Sequence, residues 1–155
     1  METINIGVFN IEEYDPTNID HKSTLVSLSN DYDFMYIGDL FCIEEEFRIA
    51  KEKGEKDTLN IAFIADIPVG MIGFNILEGK FYLLYAVLPE FRGNHYAARI
   101  ALEYAKYLFT QYPDIDSIYA SINKENHASM KSIEKAGFKR TSANIYNTNY
   151  VLKRL

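Results

Sequence analysis

Ile4, Ile6 and Val8 alternate with Thr3, Asn5 and Gly7 at the start of the chain, the two-residue period of a half-buried strand. A polar turn at Asp15-Pro16 follows. Residues 20–31 then predict a helix with Leu25, Val26 and Leu28 facing inward. Residues 31–41 are rich in aromatic and acidic side chains and show no period. Residues 44–53 predict a short charged helix that ends at Gly54. Three apolar runs come next, at residues 59–65, 69–77 and 81–87, separated by Asp66-Ile67-Pro68 and by Glu78-Gly79. Runs of this length divided by turn residues predict an antiparallel meander. Tyr82 and Tyr85, three apart on its last strand, should point to opposite faces.

The period then changes. Across residues 94–110, Ala97, Ile100, Ala101, Tyr104 and Leu108 follow helical spacing, with Arg99, Glu103 and Lys106 on the solvent side. Pro113-Asp114 breaks the chain. A strand at 115–122, a helix at 126–136 closed by Gly137 with Phe138 packing back on it, and a strand at 148–152 complete the pattern. The fold class this predicts is α/β, with a mixed sheet and an antiparallel N-terminal half. The two strands flanking the long helix should be parallel and joined by a right-handed crossover.

One junction carries chemistry. From Tyr85 to Ala98 the chain reads YAVLPEFRGNHYAA: a strand, a short turn with Arg92 and Gly93, and the start of the long helix. A helix N-terminus presents unsatisfied N–H groups and the positive end of its dipole, so this junction suits a phosphate.

Composition narrows the picture. The chain has 155 residues, 48% of them hydrophobic, enough for one domain with a real core. A net charge of −6 argues against non-specific nucleic-acid binding, which needs a Lys/Arg excess, and welcomes a cationic acceptor such as an amine. Cys42 is the sole cysteine, so no disulfide and no cysteine-based metal site is expected within the chain. It is read as a buried small residue and not a nucleophile. His21, His95 and His127 are dispersed without metal-ligand spacing, so no metal is expected. No apolar run reaches the roughly 18 residues of a membrane span. The segment METINIGVFN has no signal-peptide pattern, which makes a cytoplasmic location the expectation.

Two segments together are similar to the signatures of the GCN5-related N-acetyltransferase (GNAT) superfamily. VLPEFRGNHYAA resembles its acetyl-CoA signature. NKENHASMKSIEKAGF, residues 123–138, resembles its second signature, in which an Asn opens a helix that a Glu-Lys-x-Gly-Phe closes. The flavour is closest to the ribosomal-protein N-terminal acetyltransferase branch, through His95-Tyr96-Ala97 and the Asn-x-x-Ser of Asn126 and Ser129. Small-molecule acetyltransferases share both patterns.

The resemblance implies a single acyl-CoA N-acyltransferase domain over residues 1–155, with splayed central strands and about four helices. It implies acetyl-CoA as cosubstrate and an amine acceptor, either a small molecule or a protein N-terminus, attacking directly in a ternary complex. The implied cofactor-binding residues are Tyr85, Ala86 and Val87 on the splayed strand, where the pantetheine arm would pair. Arg92, Gly93, Asn94, His95, Tyr96, Ala97 and Ala98 would surround the pyrophosphate, and Asn126 and Ser129 would line the second helix. The Val87 N–H is the implied oxyanion contact. Ser129 is a candidate proton donor, Tyr85 a weaker one whose ordinary role is core packing.

Two positions depart from the family. His95 stands where members commonly have glycine, and must turn outward or touch a phosphate. Ile133 stands where many carry a tyrosine that protonates the departing thiolate. The strand FYLLYAV also lacks a carboxylate base. These departures keep open an alternative, a catalytically impaired acyl-CoA-binding sensor. A different phosphate-binding fold is disfavoured, because the chain has neither a P-loop nor G-x-G-x-x-G. No partner beyond the acceptor, no membrane and no nucleic acid is expected, and the protein is read as a monomer or homodimer.

Overall fold

The computed structural model describes residues 2–30 and 40–155. The first alternating run is two strands and not one. β1 (Thr3–Ile6) and β2 (Phe9–Glu13) form a hairpin in which Ile6 pairs with Phe9. Gly7 takes φ 61°, which a two-residue reversal needs, and Val8 sits 42% exposed in the turn instead of inside a strand.

α1 (Ile19–Ser29) is capped by the Asn18 side chain, which accepts from the Asp20 and His21 N–H groups. Leu25 and Leu28 are buried as expected, Val26 is half-buried, and His21 is fully buried. Nδ1 of His21 accepts from the Asp15 N–H at 3.0 Å, and its Nε2 lies 2.9 Å from Glu12 Oε1, so Nε2 carries the proton and α1 is tied to β2. α2 (Leu40–Glu52) starts earlier than its charged stretch suggests. It buries Ile43 and Ala50 with Phe47 half-buried between them, one stripe at helical spacing. Cys42 lies off that stripe and is exposed, which corrects its expected burial. The aperiodic run at 31–41 falls mostly outside the described residues.

The meander forms as β3 (Thr58–Ile64), β4 (Ile67–Leu77) and β5 (Lys80–Val87). Ala65, at φ 53°, and Asp66 make the first reversal, so Ile67 and Pro68 begin β4 and are not part of the turn. Gly70 allows β4 and β5 to approach closely, since a Cβ there would meet the Ala86 carbonyl oxygen at 2.2 Å. After β5 come α3 (Tyr96–Gln111), β6 (Ser117–Asn123), α4 (His127–Lys135), β7 (Lys139–Ala143) and β8 (Asn147–Lys153). Sequence patterning shows no strand at β7 because all five of its residues are exposed and carry no hydrophobic alternation.

The eight strands form one sheet in the order β1-β2-β3-β4-β5-β6-β8-β7. Its pairings are antiparallel except β5 with β6, the pair that α3 connects. Two cores lie on its two faces. β5 feeds Phe81, Leu83 and Tyr85 into the core under α3 and α4, and Leu84 and Ala86 toward the core under α1 and α2. The Tyr82 ring packs at a tilt against Tyr119, on the face opposite Tyr85, as the strand period requires. α3 buries Ala98, Ile100, Ala101, Tyr104, Ala105 and Leu108. Its larger side chains contribute about 1.5–3 kcal/mol each on burial. Ala97 lies one position off that stripe and is half-buried, packing against the edge of the core.

Candidate active site

β5 and β6 pair at Tyr82 and Tyr119, and the ladder does not extend to the strand ends. Beyond that pair the strands part and a cleft opens beside Tyr85, Ala86 and Val87. On the other edge of β5, the Leu88 N–H donates to the Val69 carbonyl at 2.8 Å. An antiparallel ladder uses alternate residues, so Leu84, Ala86 and Leu88 turn their backbone groups toward β4. Tyr85 and Val87 therefore turn theirs toward the cleft. There the Val87 carbonyl accepts from Arg92 Nε at 3.2 Å.

The chain leaves β5 through a single turn of 3-10 helix, Pro89–Phe91, and passes Gly93 at φ 86° and His95 at φ 61° before α3 begins. The first helical bond runs from the Arg99 N–H to the His95 carbonyl at 3.1 Å. The N–H groups of Tyr96, Ala97 and Ala98 thus have no helical acceptor, and the side chain of the N-cap residue, His95, does not cap them. Three donors and the positive end of a 16-residue helix converge on the mouth of the cleft. His95 adopts the left-handed conformation that a glycine would take and turns its ring outward, where Nδ1 lies 2.8 Å from Lys135 Nζ of α4.

α4 closes the other wall. Asn126 caps it, its Oδ1 accepting from the Ser129 N–H at 3.2 Å. The Tyr85 hydroxyl lies 2.8 Å from Ser129 Oγ and donates to the Ser129 carbonyl at 3.1 Å. Burial pushes the Tyr85 phenol well above its ordinary pKa, with the Ser129 contact opposing in part, so the hydroxyl keeps its proton at neutral pH. Ile133 is fully buried in the core and offers no hydroxyl to the cleft.

A cavity of about 220 Å³ occupies this space. Tyr85, Ala86, Val87, Arg92, Gly93, His95, Tyr96, Ala97, Asn126 and Ser129 line it, all of them candidates from the sequence. Asn94 and Ala98 do not. The Asn94 side chain is exposed and reaches back to the Phe91 carbonyl at 3.4 Å, and Ala98 points into the core. Leu28, Phe91, Ala128 and Ser132 complete the lining, and no carboxylate is among these residues. The sequence reading gave no site role to Lys135 of α4, whose side chain reaches His95 on the cleft wall. A larger cavity, about 720 Å³, lies against the C-terminal half of α3 by Tyr104, Tyr107 and Tyr112, and none of the signature residues reaches it. No cluster of three His, Cys, Asp or Glu side chains able to hold a metal occurs among the described residues.

The family model for the acetyltransferase (GNAT) domain matches residues 13–139. The chain belongs to the GNAT acetyltransferase family. Solved structures share its fold along nearly the whole length. A GNAT-family acetyltransferase from Bacillus anthracis is 22% identical, with TM-score 0.70, covering 97% of this chain and 96% of its own. The aminoglycoside acetyltransferase AAC(6')-Ib in complex with coenzyme A is 15% identical, with TM-score 0.76 and coverage of 94% and 95%. RimL, a ribosomal L7/L12 alpha-N-protein acetyltransferase in complex with coenzyme A, is 14% identical, with TM-score 0.72 and coverage of 98% of each chain. No curated protein sequence matches.

The acetyltransferase uses acetyl-CoA, and its cleft suits that molecule: backbone donors stand at one end, strand-edge N–H groups along the side, and none of the described lining residues is acidic. Its reaction is acetyl-CoA-dependent N-acetylation. Among the described residues no helix is long and apolar enough to cross a membrane.

Proposed function

We propose that the protein moves the acetyl group of acetyl-CoA to a primary amine, on a small molecule or a protein N-terminus, by direct attack in a ternary complex. The observation that carries this reading is the splay of β5 from β6, which turns the Val87 N–H toward a cleft walled by the start of α3 and by α4. Acetyl-CoA supplies the activated thioester. The Val87 N–H donates to the thioester oxygen as negative charge develops there. The strand edge at Tyr85, Ala86 and Val87 aligns the pantetheine arm by adding it as a strand.

The backbone from Gly93 to Ala98 cradles the pyrophosphate, and Arg92 adds charge on its rim. Asn94 and Ala98 act through backbone alone, since neither side chain lines the cleft. Asn126 caps α4 and holds the cofactor arm. Ser129, paired with the neutral Tyr85 hydroxyl at 2.8 Å, relays a proton to the departing thiolate and is itself reprotonated by the proton that the attacking amine nitrogen releases, a task that Ile133 cannot perform. The net charge of −6 draws the acceptor in as an ammonium, which must lose a proton before its nitrogen attacks.

The same view holds the protein to be one acyltransferase domain over residues 1–155, cytoplasmic, a monomer or homodimer, and allied to the ribosomal-protein N-terminal acetyltransferase branch. The second reading, a non-catalytic acyl-CoA sensor, draws on the burial of Ile133 and the lack of a carboxylate on β5.

Calorimetry with acetyl-CoA, followed by thiol release with a panel of amines and N-terminal peptides, tests both. The enzyme should bind at about 10–100 μM or tighter and release thiol with at least one acceptor class. Binding without turnover on any acceptor would favour the sensor. Absence of binding would defeat both readings.

A further inference from the structure

Lys135 is the last residue of α4, and its side chain leaves that helix to meet His95 at the entrance to α3. An ammonium has only hydrogens to offer, so in the 2.8 Å contact Lys135 donates and His95 Nδ1 accepts. His95 Nε2 then carries the ring proton, and the imidazole is neutral. Lys135 forms no ion pair with a carboxylate among the described residues. Its neighbour Glu134 is engaged by the Tyr150 hydroxyl at 3.1 Å. In a chain of net charge −6, this is a cation held against an imidazole, with no carboxylate partner among the described residues.

The location is specific. His95 lines the cleft and immediately precedes the open N–H groups of Tyr96, Ala97 and Ala98. Arg92 lines the same rim. Asn126, Ser129 and Ser132 line the cleft from α4, and Lys135, at the C-terminal end of that helix, reaches the cleft through its contact with His95. The C-terminal carbonyls of α4 would by themselves draw a lysine back along its own helix. This one bridges to the other helix instead.

We infer that Lys135, seated on His95, is a further cofactor-binding residue that contacts the pyrophosphate of acetyl-CoA, with His95 as its positioning partner. This rests on the acetyl-CoA orientation proposed above. The left-handed His95 gives up the closest backbone approach that glycine permits and provides in exchange a fixed seat for a mobile cation. His95 Nε2–H remains available as a further donor to the same phosphates.

Calorimetry with CoA and with dephospho-CoA, which keeps the pyrophosphate but lacks the ribose 3'-phosphate, tests the assignment. Lys135→Gln should weaken both ligands by the same factor, about three- to tenfold for one charge-assisted contact at an exposed site. Lys135→Arg should restore most of it. His95→Gly should also weaken both, and adding it to Lys135→Gln should cost less than its effect alone, because the two residues act as a unit. Both positions are exposed, so the variants should fold. If Lys135→Gln binds within twofold of the parent, the inference is wrong while the cofactor reading stands. If CoA weakens and dephospho-CoA does not, Lys135 reads the ribose phosphate and the assignment to the pyrophosphate is overturned. If the parent protein binds neither ligand, the failure lies in the cofactor reading itself.

Discussion

The two helices that wall the cleft do opposite jobs. α3 is 16 residues long, buries six side chains in the main core and turns only its N-terminal backbone and first residues to the cleft. α4 is nine residues long, buries Ile133 alone and lines the cleft with side chains, Ser129 and Ser132 in its body and Asn126 at its cap. One helix is held by packing and works through its backbone. The other is held lightly and works through its functional groups. Substitutions in α3 should therefore act first on stability, and substitutions in α4 on catalysis.

The largest expected effect is on the packed face. Ile100 is 1% exposed, and Ile100→Ala should lower unfolding free energy by about 3 kcal/mol in a urea titration. The affinity of the folded fraction for CoA should stay within about twofold of the parent, because the cradle is backbone from the first turn. An affinity that fell in step with stability would show the two ends of α3 to be coupled. On α4, Ser129→Ala should leave stability within about 1 kcal/mol and lower kcat by roughly tenfold to a hundredfold, with KM for acetyl-CoA nearly constant. An unchanged kcat would remove Ser129 from proton delivery.

Next in size is an alkaline test of the two walls. Burial raises the phenol pKa of Tyr104 on α3, whose hydroxyl accepts from Asn60 Nδ2, and of Tyr85, whose hydroxyl meets Ser129 of α4. Unfolded tyrosine releases its proton near pH 10, whereas these two hold it when folded. The stability each provides is whole below about pH 10 and is lost as pH rises through the folded value, by about 1.4 kcal/mol at pH 11 for each. Tyr104→Phe and Tyr85→Phe should each flatten the fall in stability between pH 9 and 11, and the double variant should flatten it most. Parallel slopes in parent and variants would mean that neither phenol is desolvated as described.

How much of this was legible in the sequence follows from distance and exposure. β3 to β5 and α3 declared themselves because each has a buried face, and burial imposes a period, whereas α4, with Ile133 alone buried, was marked by its ends. The helix-capping roles of Asn126 and Gly137 were legible because they are local: the first accepts from Ser129, and the second closes α4 at φ 101° with its N–H on the Glu134 carbonyl. The β1–β2 hairpin was hidden because apolar alternation continues across Gly7 as if no reversal occurred. β7 was hidden because a fully exposed edge strand has no pattern to show. The pairs that build the site, Tyr85 with Ser129 and His95 with Lys135, are 44 and 40 residues apart, and no single-sequence signal links such positions. Tyr85 was ranked as core packing, and it is that, but its hydroxyl also spans the cleft.

The smallest effect probes the α3 terminus as a field of donors rather than a set of side chains. Asn94 is exposed, lies outside the cleft lining, and makes only a long 3.4 Å contact to the Phe91 carbonyl. Asn94→Asp keeps its shape and adds one negative charge two residues before α3. Such a charge near a free helix terminus favours the empty protein, because it interacts with the dipole that the phosphates would otherwise neutralise, and it repels the phosphates directly. CoA affinity should fall about threefold to fivefold at low ionic strength, with unfolding free energy within about 0.5 kcal/mol of the parent. Raising the salt to about 0.5 M should shrink the difference, since exposed charges are screened over a few ångströms there. Ser132→Asp puts the same charge on the α4 wall, where shape and side-chain contacts matter, and its penalty should persist at high salt. Equal salt sensitivity at both positions would erase the distinction between a wall that works through its backbone field and one that works through its side chains.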